Sequence, residues 1–165
     1  MNDDGQLGKA PMVRFERLLP GPIERVWEYL VNPARLPGWF GEATMEPRAG
    51  GAVRMMTGHV RGIVTVWNPP RRPTYTWNVF GPGEAESSYP ESNVSFDLEP
   101  QGNEVLLVLT HLPVLERFEK QNAMGWHTFL DMPGVAVRGE MPEARAVYMK
   151  RNAPRYGVDL SHLAL

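Results

Sequence analysis

The segment 122–132, NAMGWHTFLDM, contains a histidine and a carboxylate at a spacing that could do chemistry. His127 and Asp131 are four positions apart, which puts them on one side of a helix. Two ligands at this spacing hold a metal ion only when further ligands join them, and the chain has no HExxH motif or comparable ligand spacing. We therefore predict no metal site and expect both side chains on a solvent-exposed helix face.

Few other residues could act as a base or a nucleophile. The candidates are His59, Tyr75, His111, Glu119 and Asn122, and none of them forms a recognisable pair by spacing. The sequence has no GxSxG motif and no phosphate-cradling glycine pattern. It also has no cysteine, which excludes disulfides, thiolate metal sites and cysteine nucleophiles. We predict no catalytic residue and no cofactor, although enzymatic activity stays open.

Length and composition fit one soluble domain. The 165 residues can bury about two thirds of the unfolded surface around one core. A hydrophobic fraction of 42%, a charged fraction of 22% and a net charge of −2 give no basic surface for nucleic acid or anionic lipid. The polar start lacks a secretory pattern, and no stretch approaches the roughly 18 apolar residues that span a bilayer. We expect a cytoplasmic protein that binds neither nucleic acid nor membranes.

The order of predicted elements indicates an α+β fold. A strand over 12–19 is followed by a helix in PIERVWEYLVNP, a short helical turn in PARLPGWF and five strands between Gly50 and His111. A long helix is predicted from about Phe118 to Met132, and a further short helix from Pro142 to about Arg151. This order places the helices on one face of an antiparallel sheet.

Periodicity divides each element into an inner and an outer face. The inner positions of the long helix are Leu115, Phe118, Asn122, Gly125, Trp126, Phe129 and Leu130, and the outer ones are Lys120, Met124, His127, Thr128 and Asp131. The inner strand positions are Val53, Met55, Val64, Val66, Tyr75, Trp77, Val94, Phe96, Leu107 and Leu109. We therefore predict that Trp126 and Phe129 are buried.

Two polar residues fall on the inner faces, and each leaves two alternatives. A buried unsatisfied amide costs about 1–3 kcal/mol, so Asn122 either bonds to a strand or faces a wet cavity. His111 is either bonded to backbone near the surface or, with Asn122, a polar point of an apolar pocket. Gly125 lowers the stability of a helix by about 1 kcal/mol relative to alanine. Two reasons for a glycine here are close packing of the helix and a gap that admits a ligand. Trp126 is either a core residue or a ligand contact.

Several segments together resemble a known family. They are ERVWEYLVNPARLPGWF, AGGAVR, NPPRRPTYTW, SNVSFDL, LLVLTHL and NAMGWHTFLDM. Trp39-Phe40, Pro69-Pro70, Trp77 and Gly125-Trp126 are the most specific parts. From Val13 to about Met132 the chain resembles the START-like helix-grip (SRPBCC) superfamily, in the branch related to the activator of the large heat-shock-protein ATPase and to polyketide cyclases.

The resemblance implies a curved antiparallel sheet wrapped around a long C-terminal helix, with two short helices after the first strand and a mostly apolar cavity. It implies a single START-like domain over 1–165, with a flexible tail over 1–11 and a C-terminal extension over 134–165 that covers one mouth of the cavity. The expected ligand-binding residues are Trp39, Met55, Val64, Tyr75, Trp77, Phe96, Leu109, His111, Asn122, Trp126 and Phe129.

Three functions fit such a cavity, because the fold hosts several activities. The first is binding of a small hydrophobic or aromatic molecule. The second is a cavity enzyme of cyclase, dehydratase or hydrolase type, and the third is a chaperone-associated role in the stress response. Leu106 and Val108 point away from the cavity and could form a homodimer contact.

Overall fold

The structure is a computed structural model that describes residues 8–87 and 89–163. Seven residues of the tail that was expected to be flexible, 1–7, lie outside the described residues. The elements are β1 (Val13–Pro20), α1 (Ile23–Val31), β2 (Ala43–Met45), β3 (Ala52–Met55), β4 (Val60–Asn68), β5 (Arg72–Val79), β6 (Ser92–Gln101), β7 (Glu104–Leu112), α2 (Glu119–Val137) and α3 (Arg145–Tyr156). A short 3-10 turn, Leu36–Gly38, follows α1.

The strands form one curved antiparallel sheet in the order β1-β7-β6-β5-β4-β3-β2. The first strand pairs with the last, so Phe15 lies opposite Leu109 and Val13 lies opposite His111. The α+β class and the helix-grip arrangement are confirmed. The short strand β2, which pairs with β3, was not predicted.

Local patterns explain why the first elements form. In β1, Val13 and Leu19 are buried while Arg14, Glu16 and Leu18 are exposed, which is the alternation of a strand with one buried face. In α1, Val26, Trp27 and Leu30 recur at helical spacing and are buried. Both faces contribute to the hydrophobic core.

The long helix α2 packs against β1, α1 and α3. Trp126 and Leu130 are buried on its inner face, as the helical period predicts. Phe129 was predicted to be buried and is half-buried. The helix continues to Val137, past the predicted end at Met132, although Pro133 lies inside it. Residues 134–137, the first part of the expected C-terminal extension, therefore belong to α2.

The predicted exposure of His127 and Asp131 is wrong. Their side chains are 16% and 31% exposed, and Met124 and Thr128 on the same outer face are buried. The reason is α3, which packs along this face: the Tyr156 hydroxyl lies 2.7 Å from His127 Nδ1. The helical phase is nevertheless correct, because Trp126 and Leu130 are buried on the predicted inner face.

The predicted inner position of Val66 is also wrong. Its side chain is 38% exposed, whereas the other predicted inner strand residues are buried. The pairing of β4 with β5 shifts by one residue between Val64 and Val66, and such a bulge reverses the faces beyond it. Trp67 takes the inner side instead and packs edge-on against Trp27, with ring centroids 5.0 Å apart.

A buried amide attaches α3 to α2. Asn152 is buried, and its Nδ2 donates to Thr128 Oγ1 at 3.2 Å and to Asp131 Oδ2 at 3.0 Å. We expect Asn152→Ala to lower the free energy of unfolding by about 1–3 kcal/mol, because both acceptors lose a donor inside the helix interface. Urea denaturation measures the change.

The exposed Lys150 on the same helix provides the control for that substitution. Lys150→Ala should change the free energy of unfolding by no more than about 0.5 kcal/mol. Equal effects of the two substitutions would show that the buried amide does not hold α3 in place.

Candidate functional site

A cavity of about 670 Å³ lies between the inner face of the sheet and helices α2 and α3. Its walls come from the ends of β5, β6 and β7, from the segment after β7, and from α2 and α3. Most of the wall is apolar, with side chains such as Trp77, Val79, Val114, Trp126, Phe129 and Met149. A ligand inside would contact mainly aromatic and aliphatic carbon.

Five of the predicted ligand-binding residues line this cavity together: Trp77, His111, Asn122, Trp126 and Phe129. The other six do not line it and lie in the hydrophobic core: Trp39, Met55, Val64, Tyr75, Phe96 and Leu109. These six also point inward, but they meet other side chains of the core there. A binding role for them stays a prediction.

Ser92, Arg145 and Met149 are among the lining residues that sequence reasoning did not single out. Ser92 lies two positions before the buried Val94, so the alternation along β6 was a signal that could have found it. Arg145 and Met149 come from α3, in a charged and proline-rich part of the sequence. The resemblance implied that the C-terminal extension covers one mouth of the cavity, but nothing in that pattern singles out these two residues.

His111 forms the centre of a buried hydrogen-bond chain and is only 3% exposed. Trp126 Nε1 donates to His111 Nδ1 at 2.9 Å. Because an indole nitrogen only donates, Nδ1 is the acceptor, and the proton of the neutral imidazole is on Nε2. Nε2 then donates to Ser92 Oγ at 2.8 Å, and Ser92 donates to the Trp77 carbonyl at 3.3 Å. The interpretation of His111 as a near-surface residue bonded to backbone is wrong.

The donor and acceptor roles in this series of hydrogen bonds decide what the Ser92–His111 pair can do. A serine nucleophile is activated when a histidine nitrogen accepts the hydroxyl proton, and here the histidine donates to the hydroxyl. The Trp126 indole imposes this tautomer, because it occupies the other ring nitrogen as a donor. The pair therefore acts as a structural link between α2, β6 and β7 and does not activate Ser92.

Asn122 is half-buried at the cavity wall, and its Nδ2 donates to the Phe118 carbonyl at 3.0 Å. Among the described residues no hydrogen bond joins Asn122 to a strand. The amide is therefore partly satisfied by the backbone one helical turn earlier, and it also lines the cavity; a ligand-binding role for Asn122 stays a prediction.

Gly125 also lines the cavity. A Cβ built at this position has no atom within 4 Å outside the local helix backbone and the neighbouring residues. Close packing therefore does not explain the glycine, and that alternative is wrong. A larger residue would extend into the cavity.

Arg145 is the cation that α3 contributes to the wall. Its guanidinium carbon lies 4.7 Å from the centre of the Phe129 ring, and its Nη2 donates to the Trp39 carbonyl at 3.4 Å. It forms no salt bridge with any carboxylate of the described residues, and burial lowers its pKa. The site thus combines an apolar wall with one partly buried positive charge.

The chain matches one protein-family model over more than half of its length. The family model described as "Activator of Hsp90 ATPase homolog 1-like protein" matches residues 20–132. Comparison with curated proteins found no match. Over the described residues, no helix is long and apolar enough to cross a membrane, and no group of three or more His, Asp or Glu side chains could hold a metal ion.

Several solved structures share the fold. The crystal structure of CalU16 from Micromonospora echinospora is 26% identical, has a TM-score of 0.74, and the alignment covers 91% of this chain and 88% of that chain. The NMR structure of a Bordetella parapertussis protein is 26% identical, with a TM-score of 0.68 and coverage of 99% and 95%. An HSP90 activator from Plasmodium falciparum is 17% identical, with a TM-score of 0.61 and coverage of 73% and 91%, which supports the fold alone.

The buried histidine predicts a pH dependence of stability. Burial lowers the pKa of His111 to about 4, below the unfolded value of about 6.5, so the unfolded chain takes up this proton first as the pH falls. The contribution is fully present above about pH 6.5 and is lost progressively towards pH 4. We expect a loss of about 2 kcal/mol between pH 7 and pH 5 from this residue.

Urea denaturation of the wild type and of His111→Gln at both pH values measures that contribution. Glutamine does not titrate, and it has both a donor and an acceptor for Trp126 and Ser92. The variant should therefore lose less stability between pH 7 and pH 5 than the wild type. The same decrease in both proteins would contradict the assignment of a buried neutral His111.

Proposed function

Because this chain belongs to the family of activator of Hsp90 ATPase homolog 1-like proteins, we propose that it binds a small hydrophobic or aromatic molecule in the cavity between the sheet and α2. The membership confirms the resemblance to START-like helix-grip proteins. The observation that carries the proposal is the cavity itself. Its volume of about 670 Å³ falls within the range of about 300–1,000 Å³ that is typical of small-molecule sites.

The aromatic wall supports a ligand with rings or long apolar chains. Trp77 and Trp126 lie with ring centroids 5.3 Å apart, and Phe129 lies 5.9 Å from Trp126. Aromatic rings in this arrangement present both edges and faces, which favour edge-to-face and offset contacts with a further ring. The His111–Ser92 chain uses its own donors and acceptors internally, so it attracts no water or polar ligand strongly.

Gly125 supports the same proposal because it destabilises α2 without a packing reason. A glycine in the middle of a helix is about 1 kcal/mol less favourable than alanine, and no close contact in this structure requires it. The position borders the cavity, so the glycine increases the space available to a ligand. A residue that lowers helix stability and enlarges a cavity is expected at a functional site, where function and stability often conflict.

A chaperone-associated role is the second candidate, and the observation that favours it is the description of the matching family. Co-purification with a chaperone in the absence of a small ligand would favour this role over the first. A homodimer contact through Leu106 and Val108 also stays a prediction; both side chains are half-exposed on the outer face of β7.

Substitutions at Gly125 separate binding from folding. We expect Gly125→Leu to raise the free energy of unfolding by up to about 1 kcal/mol, because leucine favours the helix and enters apolar space. The same side chain should lower the affinity for N-phenyl-1-naphthylamine, a neutral apolar fluorescent probe, at least about tenfold, equivalent to about 1.4 kcal/mol. Fluorescence titration and urea denaturation measure the two effects.

Gly134 is the matched control in the same helix. It does not line the cavity, and a Cβ there would make only an ordinary contact with Leu19 Cδ2 at 3.6 Å. Gly134→Ala should stabilise the helix while leaving probe affinity unchanged. The proposed function fails if the wild type does not bind the probe or if Gly125→Leu binds it as tightly as the wild type.

A further inference from the structure

One atom in the cavity wall lacks a partner that its chemistry requires. Among residues 8–87 and 89–163, Arg145 Nε is the buried side-chain nitrogen or oxygen that has no hydrogen-bond partner. The guanidinium has five N–H donors, and the long bond from Nη2 to the Trp39 carbonyl is the hydrogen bond it makes. The Nε atom is itself shielded from solvent, and the Arg145 side chain borders the cavity.

The surroundings hold Arg145 without neutralising it. Its guanidinium lies over the Phe129 ring, which is itself part of the cavity wall, and its Nη2 would be 3.5 Å from a Cβ placed on Gly41. Glu143, two residues earlier, is paired with Arg151 at 2.8 Å. Glu116, the acidic residue of the lining, is exposed and forms no ion pair with a described residue.

An arginine in this position keeps its charge, because a guanidinium does not lose its proton under ordinary conditions. Burial without an anionic partner lowers the pKa of Arg145, which is the direction expected for a cation that has lost water. A planar guanidinium with free N–H donors matches the two oxygens of a carboxylate or a related group. A carboxylate or a related oxyanion is therefore the chemical type of partner that Arg145 lacks within the described part of the chain.

We propose, on the basis of the binding function proposed above, that the ligand is a hydrophobic acid: an apolar, largely aromatic body fills the cavity, and its single anionic oxygen group pairs with Arg145. The hydrogen-bond chain of His111 and Ser92 is satisfied internally, so the polar end of the ligand points to α3 and the apolar body lies against Trp77, Trp126 and Phe129. The C-terminal helix thereby determines the charge of the ligand.

A pair of probes that differ by one sulfonate group, and therefore by one negative charge, tests this assignment. The anion is 1-anilinonaphthalene-8-sulfonate, and the neutral partner is N-phenyl-1-naphthylamine, which has the same rings without the sulfonate. We expect Arg145→Met to weaken binding of the sulfonate at least about tenfold and to change the affinity for the neutral probe less than about twofold. Arg145→Lys, which retains a positive charge but not the planar fork, should lose several-fold.

Lys9 supplies the matched control, because it is the other cation with a long side chain that lines the cavity and it is exposed. Lys9→Met should leave the affinity for both probes unchanged within about twofold, since an exposed charge is screened by water and salt. Circular dichroism melting curves establish whether each variant is folded. If Arg145→Met does not fold, the affinities of Arg145→Lys for the two probes still test the assignment.

The outcomes separate this inference from the binding function on which it rests. Unchanged affinity for the sulfonate in the Arg145 variants, with the neutral probe still bound, would overturn the inference and leave the binding function standing. An equal loss in Lys9→Met would overturn it as well, because general attraction would then explain the preference for the anion. Failure of the wild type to bind either probe would overturn both proposals.

Discussion

The hydrogen bond from the Trp126 indole to His111 is the interaction on which the cavity depends. It joins the middle of α2 to the end of β7 across the inner face of the sheet, and both side chains are buried. A buried bond of this kind is costly to leave unmade, so it fixes the distance between the helix and the sheet. It also fixes the tautomer of His111, which in turn directs the bond to Ser92 on β6. One indole nitrogen therefore positions two strands and the helix that closes the cavity.

The second constraint comes from α3, which covers the outer side of α2. A helix with a single buried face needs one apolar stripe, but α2 also buries Met124 and Thr128, which line the cavity, and Thr128 bonds to Asn152 of α3. Asn152 and Tyr156 on α3 provide polar partners for the outer side of α2. This docking brings Arg145 to the cavity, so the same contact that stabilises α2 also places a charge beside the proposed ligand.

Two residues of the cavity wall carry a local energetic cost that no contact in the described structure offsets. Gly125 weakens α2 without a packing reason, and Arg145 has a buried nitrogen without a partner. Most other buried polar groups, such as Asn152, are paired within the described part of the chain. Local costs that coincide at one cavity are consistent with a ligand that compensates for them.

The sequence alone determined the α+β class and the direction in which most side chains point, because the periods of strands and helices are local properties. Trp77, His111 and Trp126 were predicted to face inward, and they do. The one-residue bulge in β4 reversed Val66, since an extra residue in one strand leaves no mark on the alternation. Tertiary structure decided which inward residues meet a cavity: Tyr75 and Phe96 face other core side chains, whereas Trp77 borders open space. It also brought Arg145 to Phe129 and Trp39, a contact between distant segments that no local period encodes.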